Sequence, residues 1–271
     1  MAASAKLLFP EVSSVLKPPL KWAGGKRWLV PELRAVWQPY QKQRLVEPFV
    51  GGMAVTLGLA PRIALLNDIN EHLINFYTWL QRGLHVNIDL RNSSTLYYKY
   101  RDRFNQLASQ GLANSQEAAI LFYYLNRTGY NGLCRFNQRG EFNVPFGRYK
   151  TITYMTSFYM YAETLQNWEF SKGDFEKIRL LKTDFVYADP PYDVDFTSYS
   201  REGFSWEDQV RLATWLSKHQ GPVVASNQAT PRIVDLYRQH GFDCEILDAP
   251  RRIACNGDRA AVRELLAFRN V

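Results

Sequence analysis

The residues Asp189-Pro190-Pro191-Tyr192 place a carboxylate, an aromatic ring and backbone carbonyls held by two prolines at four consecutive positions. Proline has no N–H to donate and fixes φ, so a strand entering this tetrapeptide must stop there. One reaction suits the set. An exocyclic amine on a base is a poor nucleophile, because its lone pair is delocalised into the ring. Asp189 and the carbonyl of Pro190 can accept both amino hydrogens and localise that lone pair, while Tyr192 stacks on the base. A methyl donor in line behind the nitrogen then completes a direct displacement, by positioning and electrostatics and without a covalent enzyme intermediate. The other reading is a strand-ending turn with an incidental Asp and Tyr. The surrounding chain decides between them.

In front of the motif, Phe185-Val186-Tyr187-Ala188 has the apolar run of a buried strand, and open α/β sheets bind ligands at such carboxyl ends. Arg44-Leu45-Val46 leads into Glu47-Pro48-Phe49-Val50-Gly51-Gly52, the strand and glycine turn of a first βα unit. Its glycines are expected to let a ligand approach the backbone. Ile63–Leu66 forms a second strand that ends at Asn67-Asp68-Ile69-Asn70. Asp68 either meets a ribose there or caps the next helix; its place after a βαβ unit favours the ribose. Upstream, Leu20-Lys21-Trp22-Ala23-Gly24-Gly25-Lys26 flanks two glycines with charge and a π-face, without Walker A spacing. A ligand-binding loop and a structural turn both remain open for it.

From about Glu71 to Leu125 the pattern is helical, with Leu73, Phe76, Tyr77 and Leu80 on one face and Ala118–Leu125 as a buried helix. Asn126–Asn137, continued by Gly140–Lys150, alternates Gly, Asn, Arg and aromatic residues instead. It is expected to be a β-ribbon or loop that enters a DNA groove, or else a solvated surface hairpin. The βα pattern resumes at Gly173-Asp174-Phe175. Asp193–Phe204 reads as a mobile loop over the site. A helix over Trp206–Lys218, a strand over Pro222–Asn227 and a helix over Ile233–His240 capped by Gly241 follow. Cys244–Leu247 and Glu264–Phe268 then form a closing antiparallel pair. The residues up to about Pro19 read as a loosely held arm. The fold expected is an α/β cofactor-binding sheet with a helical and loop-rich insertion. Residues 1–75 and 160–271 make the catalytic domain, and 76–159 the recognition domain.

The chain has 271 residues, 46% hydrophobic and 22% charged, the balance of an ordinary globular protein. Its net charge of +7 fits a polyanionic partner, and 14% aromatic content serves both stacking and core. Cys134, Cys244 and Cys255 show neither metal-ligand spacing nor a disulfide framework, which fits a reducing cytosol. His72, His85, His219 and His240 form no ligand pair and read as surface or helix-end residues, so no metal is expected. With no membrane-length apolar run and no signal sequence, the protein is expected to be soluble and cytoplasmic. No cysteine adjoins the motif, which argues against C5-cytosine chemistry. An inert DNA-binding protein on the same scaffold, and methylation of cytosine N4, RNA or a protein amide, are the competing functions.

Taken together, these blocks resemble the Dam family of DNA adenine-N6 methyltransferases, which use S-adenosylmethionine and mostly recognise GATC. The resemblance rests on LKWAGGK (20–26), VEPFVGG (46–52), LLNDIN (65–70), LNRTGYNGLCRFNQRGEFNVPFGRYK (125–150) and DPPY (189–192). SN (226–227) and RRI…NG (251–257) also look like the family, and the likeness runs from about Leu20 to the C-terminus. It implies a Rossmann-like methyltransferase sheet acting on double-stranded DNA as a monomer, with no obligate protein partner. By resemblance, Trp22, Lys26, Glu47, Phe49, Asp68, Asp174, Phe175 and Asp189 surround the cofactor, with Glu47 or Asp68 on its ribose or amino-acid end and Phe49 on its adenine. Asp189, Pro190, Pro191 and Tyr192 hold a flipped adenine. Arg135 reads a guanine, Leu133 and Pro145 touch the thymine, and Lys21 reaches the first guanine. Tyr130 and Asn131 wedge into the duplex, while Arg127, Arg148 and Tyr149 contact phosphates or flanks. Extrusion of a base needs both a pocket and a gap-filler. Two features depart from the family: Met53 follows VEPFVGG where a small residue is usual, and the N-terminal arm is long.

Overall fold

The computed structural model describes residues 16–193, 203–249 and 263–271. The arm over residues 1–15, most of the Asp193–Phe204 loop, Cys255 and the RRI…NG block lie outside the described residues. Seven strands form one sheet: β1 (Leu45–Glu47), β2 (Ala64–Asp68), β3 (Trp168–Lys172), β4 (Phe185–Ala188), β5 (Val223–Gln228), β6 (Asp243–Asp248) and β7 (Arg263–Arg269). Their order is β3-β2-β1-β4-β5-β7-β6. β3, β2, β1, β4 and β5 are mutually parallel, and β7 is antiparallel to both β5 and β6. The chain runs outward from β1 to β3 and then crosses to β4 on the other side. That reversal makes the carboxyl ends of β1 and β4 the topological switch point, the place where open α/β sheets bind ligands.

Eight described helices surround the sheet: α1 (Val30–Trp37), α2 (Ala54–Leu59), α3 (Glu71–Gln81), α4 (Ser94–Ser109), α5 (Gln116–Thr128), α6 (Tyr159–Leu165), α7 (Trp206–Ser217) and α8 (Pro231–Gln239). Alternate strand residues feed two cores, as the two-residue period of a strand requires. Val46, Val186, Ala188, Val223 and Ala225 pack under α7 and α8. Leu45, Leu66, Phe185, Tyr187 and Val224 face α1 and α3, and that core continues without a break into α4 and α5. Strands buried on both faces carry no polar alternation, which is why Phe185–Ala188 reads as uniformly apolar.

Local signals set the helix ends. Asn70 caps α3 by accepting from the amides of His72 and Leu73 at 3.0 and 3.2 Å, Ser115 caps α5, and Ser205 and Asp208 form a capping box on α7. The expected helical stretch over 71–125 is three helices, with breaks after Gln81 and Ser109. The expected boundary at residue 76 falls inside α3, whose Phe76 and Tyr77 join the sheet core to the inserted helices. Leu16–Pro19 is not a loose arm: Pro19 is buried, and the Lys17 carbonyl accepts the Tyr161 hydroxyl at 2.5 Å. His72 and His219 lie at helix ends, as expected, but are buried, and His72 stacks on Phe136 at 5.0 Å.

Candidate active site at the carboxyl edge of the sheet

β4 ends at Ala188, and the two prolines turn the chain out of the sheet. Asp189 Oδ1 accepts Lys26 Nζ at 2.7 Å and the Ser226 hydroxyl at 3.0 Å. The Ser226 hydroxyl is also 2.8 Å from the hydroxyl of Tyr187. Lys26 is only 3% exposed, which is tolerable for an ammonium solely because carboxylates surround it. Burial alone would lower its pKa, but Asp189 and Glu264 outweigh burial and hold it well above the usual lysine value. Glu264 Oε1 lies 3.5 Å from Lys26 Nζ, and Glu264 Oε2 accepts the Tyr192 hydroxyl at 2.6 Å. Lys26 Nζ also sits 4.8 Å from the centroid of the Tyr192 ring. Behind the corner, Gln209 of α7 donates to the Pro191 carbonyl at 2.8 Å and accepts from Asn227 of β5 at 3.0 Å. Each polar group of the tetrapeptide that folds inward is thus fixed from a different element.

The exit of β1 is held as firmly. Asp68 accepts the Gly51 amide at 3.1 Å and the Asn70 amide at 3.0 Å. It ties the β1 turn to the start of α3, while the capping is done by Asn70. The Tyr77 hydroxyl donates to the Gly51 carbonyl at 2.6 Å, and Asn67 donates to the Pro48 and Gly173 carbonyls at 3.0 and 2.9 Å. Glu47 is buried against the Thr56 hydroxyl, and burial, which that hydrogen bond resists, pushes its carboxyl up to about 8. Burial raises Asp68 too, against its amide donors.

On the side-chain face of Gly51 and Gly52 the space is already taken. A Cβ on Gly51 or Gly52 would stand 2.7 Å from Trp22, so the indole lies directly on this backbone and uses the space. Met53, the departure from the family's usual small residue, packs into the core. It is fully buried and caps α2 at φ +59, a left-handed conformation that costs a non-glycine residue about 1–2 kcal/mol.

Phe49 packs 5.6 Å from both Phe175 and Phe204. Among the sequence candidates for the cofactor, Trp22, Lys26, Glu47, Phe49, Asp68, Phe175 and Asp189 therefore gather on one edge. Asp174 is turned elsewhere: it caps the turn at Phe175–Lys177 and pairs with Arg211 of α7 at 3.0 Å. It also lines a cleft of about 390 Å³ over β2 and β3, together with Arg44, Asn67 and Lys172, whose lining includes neither Asp189 nor Phe49.

The Gly/Asn/Arg-rich stretch begins inside α5 and then forms a narrow ribbon, with bridges Gly129–Phe146 and Phe136–Phe142. Tyr130 is half exposed, Asn131 takes φ +53, and Pro145 and Arg148 are exposed. Leu133 is half-buried against the main core. Arg135 donates through Nε to the Asn143 side chain at 2.8 Å. Arg127 donates to the Thr153 carbonyl at 2.8 Å. Lys21 joins ribbon and edge. Its peptide group pairs both ways with the Asn126 amide at 2.8 Å, and its ammonium donates to the Arg127 carbonyl at 2.9 Å over the Tyr149 ring at 3.5 Å. Burial, then the charge of Arg127, lowers its pKa to about 8. A Cβ on Gly132 would meet Lys21 at 2.3 Å, so this contact requires the glycine.

Glu264, Gln209 and Thr56 were not read from the sequence. An acidic residue heading the apolar run Leu265–Phe268 was the only visible signal for Glu264.

The profile of the D12 class N6 adenine-specific DNA methyltransferase family matches residues 22–252. The DNA adenine methylase of Escherichia coli K12 is 37% identical over 269 residues, covering 92% of this chain and 94% of that one. The Retron Ec67 DNA adenine methylase of Escherichia coli is 36% identical over 263 residues, covering 92% and 90%. The DNA N-6-adenine-methyltransferase of Escherichia phage P1 is 38% identical over 263 residues, which are 89% of this chain and 34% of that longer protein. The switch point of the sheet and the charged corner thus stand in a chain that belongs to the D12 class of N6 adenine-specific DNA methyltransferases.

Proposed function

We propose that this adenine-specific DNA methyltransferase takes its methyl group from S-adenosylmethionine and acts within GATC in duplex DNA, with the target adenine extruded into the Asp189–Tyr192 corner. The observation that carries the reading is the convergence of Lys26 and Ser226 on one oxygen of Asp189. With Oδ1 occupied, Oδ2 is the oxygen that accepts an amino hydrogen from N6. The Pro190 carbonyl accepts the other, and the lone pair is localised on nitrogen. Tyr192, its hydroxyl committed to Glu264, presents only its face to the base. These groups act by orientation in a partly buried site, where such effects are largest.

The residues around β1 and β2 fit the cofactor. Phe49, half exposed beside Phe175 and Phe204, suits a purine ring, and the carboxyls of Asp68 and Glu47 on adjacent strands suit hydroxyl and ammonium groups. When bound, the cofactor supplies the electrophilic methyl group. Extrusion costs a few kcal/mol, which stacking on Tyr192 and filling of the gap by Tyr130 and Asn131 offset. Arg135 reads guanine, Leu133 and Pro145 contact thymine, and Lys21 reaches the first guanine; Arg127, Arg148 and Tyr149 serve phosphates and flanks. Every residue invoked lies on one chain, so the monomer is taken as the active unit.

The test is transfer of labelled methyl to two duplexes, one with GATC and one with its adenine moved. Label on the GATC duplex alone is expected. Label on both overturns the specificity, and label on neither, with cofactor bound, points to another amine. Asp189→Ala should lower the transfer rate by about 10³-fold or more while DNA affinity stays within a few-fold. Near-normal turnover in that variant refutes the mechanism.

A further inference from the structure

Glu264 is a buried carboxylate of the edge whose only part in the reading above is to hold the Tyr192 hydroxyl. It enters from the last strand: β7 is antiparallel to β5, so its first residues reach the sheet edge where β4 and β5 end. There Glu264 is buried opposite Gln228, with Oε2 on the Tyr192 hydroxyl at 2.6 Å. Its Oε1 has no hydrogen-bond donor among the described residues and lies 3.5 Å from Lys26 Nζ. The next residues, Leu265 and Leu266, are buried and apolar. A purely structural position would be served as well by another of that kind, since a buried carboxylate costs several kcal/mol unless paired.

We propose that Glu264 is a positioning residue for methyl transfer: it fixes the Tyr192 ring through the hydroxyl and shares the Lys26 ammonium with Asp189. The proposal rests on the reading of the Asp189–Tyr192 corner as the methyl-transfer site. A ring held at its far end cannot swing, so the plane on which the base stacks is set before the base arrives. Charge gives the second effect. N6 gains positive charge as it takes the methyl group, and an ionised Glu264 both opposes that charge and loosens the hold of Lys26 on Asp189.

The charged and titratable groups facing Glu264 are Lys26, ahead of α1, Asp189 and Tyr192 after β4, and Tyr187 within β4. Burial raises the Glu264 carboxyl and Lys26 opposes the rise, leaving it near 7. Lys26 and Tyr192 are both held far above neutrality, and Glu47 titrates near 8 beside Thr56. Transfer should rise as pH passes upward through the Glu264 carboxyl, and loss of that limb on substitution of Glu264 is what separates it from the raised carboxyls of Glu47 and Asp68.

The experiment is single-turnover methyl transfer on GATC duplex at saturating cofactor, followed across the neutral range for the wild type, Glu264→Gln and Tyr192→Phe. Glu264→Gln should lower the rate above neutrality by about 10–100-fold and abolish the rise through 7, with cofactor affinity and melting temperature near wild type. Tyr192→Phe keeps the ring and removes the hydroxyl that favours the ionised carboxylate, so the limb should move upward. The double variant should lose no more than the worse single variant. A limb that persists at full amplitude in Glu264→Gln, or stays unmoved in Tyr192→Phe, overturns the proposal; should the Gln variant not fold, the Phe variant decides alone. If Asp189→Ala still turns over, the corner itself has been misread. If it is dead while both Glu264→Gln and Tyr192→Phe behave as wild type, only the role of Glu264 falls.

Discussion

The carboxyl edge and the ribbon use the same residue types in opposite ways. At the edge, Lys26 and Glu264 are buried, Asp189 and Tyr192 are half-buried, and the four hold one another through charge and hydrogen bonds without any ligand. On the ribbon, Arg135 rests on Asn143, Arg148 is exposed, and Lys21 lies on a backbone carbonyl and a tyrosine face. Those partners are neutral and replaceable. A phosphate is a stronger acceptor for a guanidinium than an Asn side chain because it is charged, and a guanine edge offers two acceptors at once. The difference fits the proposed roles, a fixed reaction at the edge and exchange of partners on the ribbon.

Lys26→Met breaks the comparison at its strongest point. It leaves Asp189 and Glu264 without their cation and should cost about 3–5 kcal/mol of stability, read by chemical denaturation. The loss should be smaller at acid pH, where Glu264 takes up a proton. A neutral substitution would mean that the edge is no more committed than the ribbon. Gly52→Ala probes the support of the edge. The new methyl meets Trp22 and should cost about 1–3 kcal/mol, with cofactor affinity falling alongside. Unchanged affinity would show that Trp22 packs without serving the cofactor.

On the ribbon, stability should hardly move. Arg135→Ala should lower discrimination against a substituted guanine by about 1–3 kcal/mol, measured as the ratio of kcat/KM on matched and mismatched duplexes, with an unchanged melting temperature. The smallest effect is that of Lys21. Its ammonium titrates near 8, so DNA affinity should fall as pH rises through that value, and the salt slope should shrink by about one unit. The same shift acts oppositely on folding. The unfolded lysine binds its proton up to its ordinary value, so between the two values stability rises with pH. Lys21→Arg should abolish both trends.

Much of the edge was legible because its chemistry is local. Asp189-Pro190-Pro191-Tyr192 announces its own corner, and Phe185–Ala188, Cys244–Leu247 and Glu264–Phe268 read as the strands they are. What stayed hidden depended on who packs against whom. Gly51 and Gly52 look alike whether a ligand or the Trp22 indole lies on them. Asp174 looks free until Arg211 arrives from another element. Glu264 looks like an ordinary charge beside a strand until the antiparallel direction of β7 delivers it to the corner.

That direction also governs when the site comes into being. The contact between Lys26 and Asp189 spans 163 residues and that between Tyr192 and Glu264 spans 72. Contacts this distant in sequence form late, because the closure entropy must be met before they contribute. β7 lies between β5 and β6, so neither β6 nor the Tyr192 hydroxyl has its partner until residues 263–269 are in place. The cluster of Lys26, Asp189, Tyr192 and Glu264 is therefore complete only once the final strand is in place, and it loses Glu264 when that strand frays.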